Sequence, residues 1–165
     1  MSNRVTHLGL IFGLLVTGGS IVALAALPQI YPTTPKPKIH WRSNLDMAHA
    51  EAVKSNKPIL VVFGADWCTF CKKMDDTAFV DPTLVTYVNN NFVPVQLDLD
   101  KNQRTAAILD VDRIPATVAL TPNADLLGRV IGYVNIETYR ESLSKVRTLH
   151  QRVESEKPVV ADPVR

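Results

Sequence analysis

Residues 59–72 read Ile-Leu-Val-Val-Phe-Gly-Ala-Asp-Trp-Cys-Thr-Phe-Cys-Lys, and the two halves of this stretch have opposite character. The first six are a continuous apolar, largely β-branched run, which suits a strand buried on both faces. Residues 66–79 change to helical character. Both cysteines of the chain, Cys68 and Cys71, fall just after this junction. A cysteine at a helix N-terminus faces unpaired N–H groups and the positive end of the helix dipole, so its thiolate is favoured. Cys68 is therefore the candidate nucleophile. Cys71 sits one turn later, within reach of Cys68 but more buried, where it can resolve a mixed disulfide. Trp67 can shield one side of the pair.

A Cys-x-x-Cys pair also has other uses. A structural zinc site needs four ligands, and His40, His49 and His150 are not spaced as a second pair. Haem attachment needs a histidine where Lys72 stands. A static structural disulfide and a soft-metal site holding Cu(I) on the two thiolates remain as alternatives. No metal ligand set is assigned and no nucleotide or flavin motif is present, so the expected redox group is the Cys68–Cys71 disulfide itself.

Outward from this pair the chain alternates. Residues 39–41 read as a short edge strand. Ser43 or Asn44 can cap a helix running to about Ser55, with Leu45, Ala48, Ala52 and Val53 as its apolar face. Asn56-Lys57-Pro58 stops it. Residues 82–91 suit a short helix, 92–99 a strand, 105–109 a brief helix and 117–120 a strand. Pro122-Asn123-Ala124-Asp125 is a turn, and 126–132 returns as a hairpin strand. Asn135 can cap a last helix from Ile136 with Tyr139, Leu143, Val146 and Leu149 on one face. This order predicts an α/β fold, a central sheet flanked by helices.

The ends differ from the middle. Of 165 residues, the first 27 hold one of the 18 Lys and Arg and none of the 16 Asp and Glu. Residues 8–27 are uncharged, and twenty helical residues span about 30 Å of hydrocarbon. Two readings fit: an uncleaved single-pass anchor, favoured by length, or a signal peptide cut near Ala25 at Ala23-Leu24-Ala25. Either places the remainder outside the cytoplasm. Residues 28–38 carry four prolines and read as a semi-rigid spacer. The expected domain covers 39–155, and 156–165 is a loose tail. A net charge of +2 without a basic run argues against a nucleic-acid partner.

Ala65-Asp66-Trp67-Cys68-Thr69-Phe70-Cys71-Lys72 resembles the active-site segment of thioredoxin-fold proteins, and Ile114-Pro115-Ala116-Thr117 resembles their cis-proline loop. The chain is most similar to the periplasmic C-terminal thioredoxin-like domain of transmembrane thiol:disulfide interchange reductases. Lys57-Pro58, Phe79-Val80-Asp81-Pro82 and Gly132-Tyr133 belong to the likeness, which covers about residues 40–147. It implies a thioredoxin fold with a mixed sheet, here preceded by a hydrophobic helix and lacking the membrane core of those reductases. It further implies a cis Pro115 facing the cysteines and an Ile114 backbone that pairs with a bound peptide strand. Expected partners are disulfide-containing exported proteins and a membrane thiol electron donor. The expected place is the periplasmic side of the inner membrane, held there by residues 8–27. Reduction of partner disulfides is favoured; a disulfide-forming oxidase or isomerase is the alternative.

The sequence also departs from that pattern. Val62 stands where thioredoxins carry a buried aspartate, and Gln96 stands near their partner lysine. Losing both is coherent, because a lone buried charge is costly. Asp75, four residues after Cys71 on the same helical face, is the candidate substitute for moving the Cys71 proton. Asp66 opposes thiolate formation at Cys68, while Lys72 and Lys73 favour it. Phe70 is a candidate apolar rim for partner docking.

Overall fold

The computed structural model describes residues 36–156. The hydrophobic helix expected over 8–27 and most of the proline spacer and the tail lie outside them.

Helix α1 (Leu45–Ser55) starts where the Asn44 side chain accepts hydrogen bonds from the Asp46 and Met47 amides. It ends at Asn56, which takes the left-handed conformation with φ 48°. Pro58 then leads into β1 (Ile59–Gly64). Helix α2 (Thr69–Asp76) follows, with Cys68 as its N-cap. The helical character expected across 66–79 divides here: α2 stops at Asp76, and Ala78–Val80 form a separate 3₁₀ turn. Helix α3 (Pro82–Asn91) has proline in its first turn, where no amide donor is needed, and Asp81 caps it through the Leu84 amide. Strand β2 (Val93–Asp98), helix α4 (Gln103–Ile108), strands β3 (Ala116–Leu120) and β4 (Leu126–Ile131), and helix α5 (Ile136–Glu156) complete the order.

The sheet runs β2-β1-β3-β4. β1 is parallel to β2 and antiparallel to β3, and β3 is antiparallel to β4. A central strand covered on both faces explains the unbroken apolar run of 59–63, all buried. Leu60 and Val62 turn to a core shared with Met74, Phe79, Leu84, Val88, Tyr139 and Leu143. Ile59, Val61 and Phe63 turn to a second core with Ala48, Ala52, Val95, Ala106 and Val118. Helices α2, α3 and α5 therefore cover one face, and α1 and α4 the other.

Three expectations are corrected. The edge strand at 39–41 shrinks to one parallel bridge, Arg42 to Val95, because only Arg42 exchanges backbone hydrogen bonds with β2, at Pro94 and Gln96. Val53 leaves the buried face of α1 at 56% exposure. On α5 the fourth inward position is His150, 1% exposed, rather than Leu149 at 36%. Spacing allows either position, and the helix's rotation against the sheet selects His150.

Candidate active site

Cys68 and Cys71 form a disulfide with 5.3 Å between their Cα atoms. The site is built at the C-terminal end of β1. Gly64 closes the strand, Ala65, Asp66 and Trp67 turn the chain, and Cys68 caps α2. The Cys71 amide donates to Cys68 Sγ at 3.1 Å, so the sulfur itself occupies the capping position. This is the arrangement that stabilises negative charge on Cys68 once the bond is reduced. A Cβ built on Gly64 meets Cys71 Cβ at 3.6 Å and Sγ at 3.7 Å, so the strand end lies directly against the second cysteine.

Register places the other motif at the same end of the sheet. Phe63 pairs with Ala116 in the antiparallel β1–β3 ladder, so Pro115 stands one step beyond, beside Gly64. The Ile114–Pro115 bond is cis. Pro115 is buried, and Ile114 is half-buried against the core beneath α1. The Pro115 carbonyl accepts from the Gly132 amide at 2.7 Å. Gly132 has φ +84°, which only glycine adopts readily, so this tie depends on that residue.

Trp67 is 64% exposed, and its indole N–H donates to Asp100 Oδ2 at 2.9 Å. Asp100 lies just after β2, 33 residues away, and nothing local in the sequence signals the contact. Phe70 is 57% exposed and packs on the Tyr133 ring at 5.9 Å. Lys73 Nζ stands 4.4 Å over the other part of that aromatic pair, the Tyr133 ring.

Behind Cys71 is a cleft of about 440 Å³ that brings together Asp66, Cys71, Lys72, Asp75 and Gln96. Gln96 pairs with Val62 across the parallel ladder. Its Nε2 donates to Asp75 Oδ1 at 3.5 Å. Burial holds the Asp75 carboxyl above the usual carboxylate range, and the neighbouring Asp76 adds to this. The Gln96 amide opposes both. Asp66 and Lys72 are exposed at the mouth of the cleft. Among the described residues, no group of three or more His, Cys, Asp or Glu side chains could hold a metal ion. Dithiol–disulfide exchange requires no cofactor beyond the two sulfurs.

A mixed four-stranded sheet with a Cys-x-x-Cys disulfide capping the helix after its central strand defines a thiol:disulfide oxidoreductase of the thioredoxin fold. Comparisons agree. The thioredoxin-like domain family matches residues 45–147, and the chain belongs to that family. It is 28% identical over 134 residues to the thiol:disulfide interchange protein DsbD 1 of Pseudomonas aeruginosa, which covers 74% of this chain and 22% of that protein. The match to a Streptomyces clavuligerus thioredoxin is 32% over 89 residues, covering 53% of this chain and 77% of the thioredoxin. Among solved structures, the DsbH oxidoreductase superposes with a TM-score of 0.58 at 23% identity, covering 77% of this chain and 96% of that one. A Thermus thermophilus thioredoxin gives 0.64 at 22% identity, covering 73% and 94%. The chain thus spans under a quarter of the first DsbD relative's length.

Proposed function

We propose that this chain is an exported, membrane-tethered reductase of protein disulfides. Residues 8–27 act as a single-pass anchor, 28–38 as a spacer, and the domain works on the periplasmic side of the inner membrane. The single observation that carries the chemistry is the cysteine pair at the α2 N-terminus, in a chain whose likeness to the interchange protein DsbD 1 runs over 134 residues.

In the reaction, the Cys68 thiolate attacks one sulfur of a partner disulfide. A Cys68–partner bond forms, and the partner's other sulfur leaves as thiolate. The Cys71 thiolate then attacks Cys68 Sγ, closing the Cys68–Cys71 disulfide and releasing the second partner sulfur. Two electrons pass to the partner, whose two sulfurs are protonated. A membrane thiol carrier returns two electrons to the pair. Ile114 and Pro115 receive the partner's extended backbone beside the cysteines, while Trp67 and Phe70 form the exposed apolar rim. Asp75 accepts the Cys71 proton in the cleft. Lys72 favours thiolate at the site, and Asp66 opposes it.

Insulin-disulfide reduction by the pre-reduced protein tests this reading. Cys68→Ser abolishes the reaction, and unchanged activity in that variant refutes it. Cys71→Ala accumulates a mixed disulfide at Cys68. Direction is read from the reduction potential in glutathione and dithiothreitol buffers. A value near about −270 mV supports a reductase, and one near about −120 mV reverses the direction to disulfide formation.

A further inference from the structure

The Phe70–Tyr133–Lys73 group is the feature of the site that thiol exchange itself does not use. Phe70 and Lys73 are three residues apart on α2 and so share a face of that helix. Tyr133 comes from the loop between β4 and α5 and touches both, with its ring 5.9 Å from Phe70 and 4.4 Å from Lys73 Nζ. Phe70 and Lys73 are both exposed. A cation over an aromatic face is held in place by the ring quadrupole without losing its donors to solvent or partner. Among the described residues, no carboxylate lies within ion-pairing distance of Lys73. Ion pairs of the described residues include Arg42–Glu51, Lys101–Asp98, Arg113–Asp112, Arg129–Asp110 and Lys145–Glu141, and none of these involves Lys73. The shelf therefore presents an apolar ring beside a positive charge that no carboxylate pairs directly.

Its position along the α2 axis matches the spacing of an extended chain. Lys73 is five residues along α2 from Cys68, about 7.5 Å of axial rise. Two residues of extended strand cover about 6.6 Å, and side chains two apart face the same way. For a partner strand running along α2, the residue two positions from the attacked cysteine comes level with Lys73.

We infer that Phe70, Tyr133 and Lys73 form a specificity shelf that selects partners carrying a carboxylate two residues from the attacked cysteine. This rests on the reductase reading above and names the partner chemistry that reading leaves open. Lys73 supplies the charge, and Tyr133 is the positioning residue that fixes it.

The test uses the full chain, reduced, desalted and kept in mild non-ionic detergent. Its substrates are synthetic peptides closed by one internal disulfide, with Glu, Gln or Lys placed two residues outside each cysteine. Second-order rate constants are read by acid quench and chromatography, with oxidised glutathione reduced in parallel. An exposed ion pair corresponds to about a two- to fivefold preference for Glu over Gln, with Lys disfavoured. The preference should collapse in Lys73→Gln, invert in Lys73→Glu and fade at high salt. The ratio between peptides is what is read, so any general change in Cys68 reactivity cancels. Equal rates for all three peptides, or a preference unchanged in Lys73→Glu, overturn the shelf and leave the reductase standing. No reduction of any peptide or of glutathione overturns the reductase, and the shelf with it.

Discussion

Val62→Asp restores an acid at the position where thioredoxins keep one, and its cost follows from what surrounds that position here. Val62 is 3% exposed, in the core with Leu60, Met74 and Tyr139. Its neighbour across the ladder is Gln96, which is neutral and already donates to Asp75. Among the described residues no Lys or Arg is buried to compensate a new carboxylate, and Asp75 is itself raised by burial. Full burial raises a carboxyl by about 3–5 units above its unfolded value of about 3.9. At the lower end the folded value is about 7. The sign follows directly: a folded pKa above the unfolded one means the native state holds the proton longer. The variant's stability is then best below about pH 4 and falls by about 1.4 kcal/mol per pH unit up to about pH 7. Urea unfolding of the full chain in detergent, near pH 4 and near pH 7.5, should show an extra loss of about 3–4 kcal/mol at the higher pH. Val62→Asn carries similar polarity without ionising and should lose the same amount at both. If Val62→Asp and Val62→Asn behave alike at both pH values, the reasoning about an uncompensated buried charge fails.

Other perturbations probe the rest of the site and fold. Asp75 has a raised pKa, so its native-state contribution to stability is present at low pH and lost as pH rises through the folded value. Asp75→Asn should flatten that limb of the unfolding profile, and should slow release of the Cys68 mixed disulfide at neutral pH, read by stopped-flow. Tyr139 is fully buried, its hydroxyl 2.9 Å from Thr117 Oγ1, and burial lifts its pKa. Tyr139→Phe leaves the Thr117 hydroxyl without that partner and should cost about 1–2 kcal/mol in urea unfolding. Gly132→Ala forces a Cβ onto a residue at φ +84°. It should cost about 1–2 kcal/mol and lower insulin-reduction activity by loosening the tie to the Pro115 carbonyl.

Much of this was legible in the chain order of residues. The run at 59–63 announces a doubly covered strand, because only a central strand leaves no face for polar side chains. Asn44 and Asn135 mark helix starts through local side-chain chemistry that needs no tertiary partner. The Cys68–Cys71 spacing, placed just after that strand, is enough to put one sulfur at a helix N-terminus and the other one turn on. These features rest on interactions within a few residues, and for that reason sequence by itself determined them.

Only the tertiary structure decided the features that need two distant segments in register. Asp75 meets Gln96 because β1 and β2 pair Val62 with Gln96, and no local pattern encodes that pairing. Trp67 finds Asp100 across 33 residues, and Pro115 is tied to Gly132 across the β3–β4 ladder. The choice of His150 over Leu149 depends on how α5 is rotated against the sheet, which helical spacing alone leaves open. Phe70, Lys73 and Tyr133 become one surface only when the loop after β4 returns to α2. Local propensity and capping set the elements; side-chain packing between elements set their register and rotation, and with them the surroundings of the two sulfurs.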